Sequence, residues 1–378
     1  MNATHAIPTT SSADDIELIF LGTGTSGSVP NLSCITAPPD TPPCRTCLST
    51  LTPEGKKNVR RNTSVVLRVP GSDGKRRTIL IDAGKNFQAA ALEWFPKYGL
   101  RKIDAVLITH AHADAMNGLD DLRAWTLRGV IQDYIPIYVS RTTFDEVQRA
   151  FPYMVAKERA SGGGDVRASR LPVPEFKWHI FEDAQPIVLE ESGIEIMPLP
   201  TTNPPSPARA SPTRDLESKS TPSPPPIQPY ICHAFLVQKS VLYMADVSHI
   251  TEDTWALLGR ANDAAPVSEL AVAVVDCLRP VAHTSHFGIR EAVSAARRLR
   301  STRTYLTGFG HEISHDEYAR VCEVVGGLPS ANLSLTSGER KCLDLVEEGR
   351  PVWLRPAHDG LRMWARKDGS VVDETYDV

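Results

Sequence analysis

A chain of 378 residues, 41% of them hydrophobic, can bury one large core or two medium ones. Its formal net charge of -4 is spread without a dominant basic block, which argues against a nucleic-acid footprint or a membrane-surface patch. No run approaches the roughly 18 apolar residues of a membrane span. Seven unevenly spaced cysteines argue against a disulfide framework. The expected compartment is therefore reducing: cytoplasmic, with the nucleus also open, and not secreted.

Residues 1–15, "MNATHAIPTTSSADD", lack the charged start and apolar stretch of a secretory signal and read as a disordered tail. "IELIFLGTG" (16–24) predicts a strand running into a Gly-rich turn. "NTSVVLRV" (62–69) and "RTILIDAG" (77–84) predict two more, separated by the turn signal "PGSDGK". "NFQAAALEWFPKYG" predicts a helix, and "IDAVLITH" a buried strand that delivers His110 at its far end. From Asn117 the pattern turns helical, with Leu119, Leu122 and Trp125 on one face. Strands follow at 135–140, 239–246, 270–276 and 303–308, with helices at 290–300 and 315–325. Alternating strands and helices with several hairpins predict one α/β layered domain over 16–366 and a C-terminal tail over 367–378. Residues 201–229 hold nine prolines and five serines, and 160–168 read "ASGGGDVRA". The first is expected to be a disordered insertion in a loop and the second a shorter flexible spot, because neither can bury enough apolar surface to offset its ordering entropy.

The chemistry concentrates in "LITHAHADAMNGLDDLR" (107–123). Alternation along an extended backbone puts His110 and His112 on one side, with Asp114 in the same phase, so all three can reach one ion. Zinc accepts such mixed imidazole and carboxylate ligands without redox chemistry, and Mn²⁺ is the alternative. Asp246 in "LYMADVSH" and His311 in "YLTGFGHEISH" also follow apolar strands, which suggests a shared site. Asp82 in "LIDAG" is either an acceptor orienting a histidine ligand or a turn cap. Arg60 and Arg61 in "NVRRNTS" could meet a phosphate but are more simply exposed surface arginines. Asp120 and Asp121 read as first-turn helix charges. Cys34, Cys44 and Cys47 in "CITAPPDTPPCRTC" include a C-x-x-C pair, and three thiolates need a fourth partner to close a tetrahedron. The other four cysteines, Cys232, Cys277, Cys322 and Cys342, lie in apolar segments and read as core.

Taken in order, "FLGTGTSGSVP", "ILIDAG", "THAHAD", "YMADVSH" and "GFGHEISH" resemble the metallo-β-lactamase fold, and within it the PhnP-type cyclic phosphodiesterases. The resemblance spans about residues 16–366 and implies an αββα sandwich with one or two catalytic metals at the edge between its sheets. It matches His110 and His112 to the first metal, Asp114 to the second, Asp246 to the bridging carboxylate and His311 to the second site's last histidine. His286 in "SHFG" becomes a candidate acid or phosphate contact, and His283 a weaker one. The family's structural zinc, bound by three cysteines and a following histidine, would fall here to Cys34, Cys44, Cys47 and His315.

Two departures thin the pattern. Ala115 stands where a histidine directly follows the aspartate, and Asn203 marks where another follows an apolar-Pro stretch. His233 and His249 are conceivable replacement ligands. The implied activity is zinc-dependent hydrolysis of a small phosphodiester, cyclic forms included, through a metal-activated water, with Asp114, Asp246 and His286 as the catalytic groups. Hydrolysis of a carbon ester or thioester, and a decayed member acting as a binding protein, are the alternatives. Neither a membrane nor a nucleic acid is the expected partner, and a homodimer stays open.

Overall fold

The computed structural model describes residues 12–155, 175–203, 230–259, 270–329 and 333–377. The N-terminal segment 1–11, the Gly-rich stretch 160–168 and positions 204–229 of the Pro/Ser-rich insertion lie outside these described residues.

The strands are β1 (Ile16–Gly22), β2 (Ser64–Pro70), β3 (Arg76–Ile81), β4 (Ala105–Leu107), β5 (Ile135–Ser140), β6 (Phe176–Phe181), β7 (Ile187–Leu189) and β8 (Ile194–Asn203). They continue as β9 (Tyr230–Val237), β10 (Val241–Met244), β11 (Val272–Asp276), β12 (Arg303–Thr307), β13 (Leu354–Pro356), β14 (Arg362–Ala365) and β15 (Val371–Asp373). One sheet runs β15-β14-β1-β2-β3-β4-β5-β6, the other β13-β12-β11-β10-β9-β8-β7.

Strand alternation explains the layering. In β1, Leu18 and Phe20 face a core between the two sheets, while Ile19 and Leu21 face a second core shared with helix Phe87–Tyr98. In β10, Val241 and Tyr243 enter the central core, while Leu242 and Met244 meet a third core under helices Ile289–Leu299 and His315–Val325. Ile289, Ala292, Val293, Ala296 and Leu299 are buried at spacings that mark one helical stripe. The layers are thus helix, sheet, sheet, helix, the expected αββα sandwich.

Three expectations need correction. Residues 201–203, read as the start of the disordered insertion, end β8 and pair with β9. Within the segment 367–378 expected as a tail, residues 367–377 are docked. Val371–Asp373 pairs with β14 as an edge strand, Asp373 and Asp377 hold Arg303, and the Tyr376 ring packs on Trp353. The helix expected from Asn117 is two short turns, Leu119–Leu122 and Arg123–Thr126, because the chain there is pinned by tertiary packing. A side chain at Gly118 would meet the Gly84 carbonyl at 2.4 Å.

β3, β4 and β5 run parallel, as do β10, β11, β12 and β13. Their carboxyl ends gather on one edge of the sandwich, and the sheets are tied together there. His233 donates its backbone N–H to Thr109 O (3.0 Å), and Gly308 and Phe309 donate theirs to Thr23 O (2.9 and 3.0 Å).

Candidate metal centres

Asp82 follows β3, Thr109 and His110 follow β4, Asp246 follows β10 and Asp276 ends β11. Asp82 (φ 61°) and Asp246 (φ 55°) adopt left-handed backbone, which aspartate tolerates better than most residues, and each turns its carboxylate toward the edge where the strands end. The ligand atoms of His110, His112 and Asp114 all lie within 4.8 Å of one another. The two imidazoles meet edge to face, with centroids 4.7 Å apart.

A hydrogen-bond chain prepares His110. Thr109 donates its backbone N–H to Asp82 Oδ1 (2.9 Å) and its hydroxyl to Asp82 Oδ2 (2.8 Å), while its Oγ1 lies 2.8 Å from His110 Nδ1. With the hydroxyl proton committed to Asp82, Oγ1 accepts Nδ1–H, and the lone pair of His110 is left on Nε2. That Nε2 is buried with no hydrogen-bond partner. Burial pulls the His110 pKa down to about 4, so the ring is neutral, the form a metal ligand needs. An unpartnered imidazole nitrogen facing another histidine and a carboxylate fits a divalent cation.

Carboxylate charge makes the same demand. Asp82, Asp114, Asp246 and Asp276 are at most 6% exposed. Burial raises the pKa of Asp114, and the Asp246 charge adds to it; burial also raises Asp246. Buried carboxylates at this density favour a cation beside them. Asp246 lies outside the tight trio and faces His286, whose Nε2 is 3.4 Å from Asp246 Oδ1 and whose Nδ1 is 3.1 Å from Asp276 Oδ2. Burial opposes protonation of His286, but Asp276, helped by Asp246, wins and lifts its pKa to about 9. Asp276 escaped the sequence reading although it ends an apolar strand as Asp246 nearly does. Tyr230, equally unforeseen, stacks on His112 with centroids 4.6 Å apart, and its phenol oxygen accepts Ala111 N–H at 3.0 Å.

The second centre corrects the sequence reading at two residues. His311 does not face the trio. Its Nδ1 lies 3.3, 3.4 and 3.6 Å from the Sγ atoms of Cys34, Cys44 and Cys47. In a tetrahedral zinc site, bond lengths of about 2.3 Å to sulfur and 2.0 Å to nitrogen put those ligands about 3.5 Å apart, so the set fits. His315, expected in that role, begins the next helix behind the Ser314 cap. It is buried, with Nε2 3.2 Å from the Tyr376 hydroxyl and its ring against His358. The loop geometry explains the swap: only His311 lies before the cap, where the chain still faces the cysteines.

Other candidates sort plainly. His233 pairs its Nε2 with Asp183 (2.8 Å) rather than joining the trio, and His249 is exposed. Arg60 is no surface arginine, being 1% exposed, while Arg61 pairs with Glu93 and Asp359. His283 is exposed, with its Nδ1 2.9 Å from the Ser285 hydroxyl. The backbone of Asn203 ends β8 opposite Tyr230.

The model of the beta-lactamase superfamily domain matches residues 77–309, more than half of the chain. The protein belongs to the metallo-β-lactamase superfamily. Among solved structures, a diphosphatase of the PhnP family is 22% identical, with a TM-score of 0.61 over 93% of this chain and 97% of its own. The metallo-β-lactamase fold protein YhfI from Bacillus subtilis is 12% identical, with a TM-score of 0.51 over 92% of this chain and 98% of its own. A Porphyromonas gingivalis protein named octanoyltransferase is 33% identical over 146 residues, 38% of this chain. This chain spans only 24% of that relative's length. Among the described residues, no helix of this superfamily member is long and apolar enough to cross a membrane.

Proposed function

We propose that this protein is a zinc-dependent hydrolase of a small phosphodiester, with Mn²⁺ as an alternative cation. The observation that carries the proposal is the buried, unpartnered Nε2 of His110, on a residue whose ligand atom lies within 4.8 Å of those of His112 and Asp114. Those three would hold the cation, with Asp246 beside them; Cys34, Cys44, Cys47 and His311 would hold a second, structural zinc. A cation there supplies Lewis acidity, which makes water a nucleophile near neutral pH and offsets charge on phosphoryl oxygens.

The chain's own groups do the rest. Asp82 and Thr109 keep His110 in one tautomer and one orientation. Asp276 holds His286 through Nδ1 and Asp246 faces its Nε2, so a substrate entering the centre would take the Nε2 proton on its leaving oxygen in place of Asp246. Tyr230 fixes the plane of His112. The PhnP-family diphosphatase, similar in fold, supports phosphorus over carbon as the centre attacked.

A panel of chromogenic phosphodiesters, phosphomonoesters, carboxylic esters and thioesters, run on wild type and His110→Ala, tests this reading. Turnover of the diesters that falls to background in the variant is expected. Turnover of the carbon esters alone would reassign the substrate class.

A further inference from the structure

The resemblance to two-metal enzymes leaves the catalytic cation count unset. We infer that the centre takes one divalent cation, and that the imidazole of His286 fills the place of a second. The inference rests on the metal-dependent reading of the His110 centre and concerns only what that centre can hold.

A second cation would draw on Asp114, Asp246 and imidazoles from position 115 and from His311. Position 115 is a buried alanine. His311 is turned away, its Nδ1 within 3.6 Å of all three thiols of the cysteine centre. No side chain can enter from the end of β12 either. The residue there is Gly308, at φ 81°, and a Cβ on it would come 2.4 Å from Asp276 Oδ1.

What stands beside Asp246 instead is a ring with both nitrogens committed. His286 reaches Asp276 Oδ2 (3.1 Å) through Nδ1 and Asp246 Oδ1 (3.4 Å) through Nε2. The loop is fixed by backbone as well as side chain. Phe287 N–H is shared between Asp276 Oδ2 (3.0 Å) and Val247 O (2.8 Å), and His283 and His286 exchange backbone hydrogen bonds. A zinc site needs at least three protein ligands, and among the described residues the set that the resemblance gives a second cation shrinks to Asp114 and Asp246. The sequence departures and this geometry agree: the imidazoles of the second site are gone, and His286 ties Asp246, which they would have accompanied, to Asp276.

The test is metal content of the full-length protein as purified, by elemental analysis, with the absorption of a cobalt form separating thiolate from imidazole sites. About two zinc ions per chain are expected, one of them in a thiolate environment. The manganese form should show the spectrum of isolated ions in electron paramagnetic resonance. About three per chain, or a spin-coupled manganese pair, overturns the inference and leaves the hydrolase reading intact. One per chain, wholly thiolate-bound, overturns both. The His286→Ala variant releases Asp276 to join Asp114 and Asp246 and should gain a weak manganese site coupled to the first; an unchanged spectrum overturns the role given to His286.

Discussion

Behind the His110 imidazole stands Thr109, whose single hydroxyl both donates to Asp82 and receives the imidazole proton. Thr109→Val keeps the shape and removes both links, so the tautomer is no longer fixed and Asp82 loses a buried partner. Affinity of the His110 centre for zinc should fall about 10–100-fold, while the cysteine centre is untouched. Chelator competition reads both; an unchanged affinity would show that Thr109 does not set the ligand. A second pair of variants separates the neighbouring histidines. His311→Ala should lose the thiolate-bound metal, and His315→Ala should keep it and lose folding stability instead, measured by zinc content and denaturation. His110, His112 and Asp114 were legible in the sequence because strand alternation is local. The choice between His311 and His315 was not, because it depends on which side of the Ser314 cap the chain turns away from the cysteines. Tyr230 was illegible for a related reason: its partner, His112, is remote in sequence and only folding brings them together.

At the scale of elements, Arg60 fastens the loop after β12 to the segment after the cysteines. Its backbone pairs with Val29 in both directions, and its guanidinium donates to Gly310 O, Ile313 O (3.0 Å) and Asn58 Oδ1 (3.3 Å). The plane lies 5.1 Å from the Phe309 ring centroid, and among the described residues no carboxylate forms an ion pair with it. Asn58 Oδ1 also accepts His315 N–H at 2.7 Å, so one side chain links the loop to the following helix. His311 lies between the two carbonyls that Arg60 holds. Arg60→Met keeps the stem and leaves those carbonyls unpaired, at a cost of about 3 kcal/mol or more. Urea denaturation should show that loss, and zinc should leave the cysteine centre faster than in wild type. Equal release rates would mean the clamp does not bear on the metal. The letters "RR" could not distinguish the buried Arg60 from its more exposed neighbour, because the burying surface lies 250 residues on. Long alternating strands such as β1 and β2 were legible, whereas the three-residue β7 and β13 carry too little pattern to register. In β8, Pro198 and Pro200 each lack a ladder donor, yet the strand pairs throughout with β9.

The layered fold of the whole molecule was legible because its alternation of strands and helices persists along most of the chain, but the closing of its C-terminus was not. Val371–Asp373 and Tyr376 are short and polar in sequence, and only the docked position shows them covering His315 and His358. That cover has a thermodynamic consequence. Burial drives His315 well below the usual histidine range and His358 down to about 4, and each ring presses on the other with centroids 5.4 Å apart. The unfolded chain, with ordinary histidines near 6.5, binds protons there that the folded chain refuses, so stability rises with pH from about 4 to 6.5 and is lost on acidification. Asp359, next in sequence, has the opposite sign: burial raises it to about 7, so the folded chain holds a proton that the unfolded chain releases. The two partly cancel in wild type, and a single-site difference isolates one of them. His358→Gln removes the histidine's share and leaves the aspartate's. Relative to wild type, the variant should therefore gain about 2 kcal/mol in going from about pH 7.5 to about pH 5. Acid release of zinc affects both proteins alike and drops out of the comparison. Parallel stability curves, measured by urea denaturation at each pH, would show that His358 takes up its proton as easily folded as unfolded, and that the C-terminal cover does not seal it.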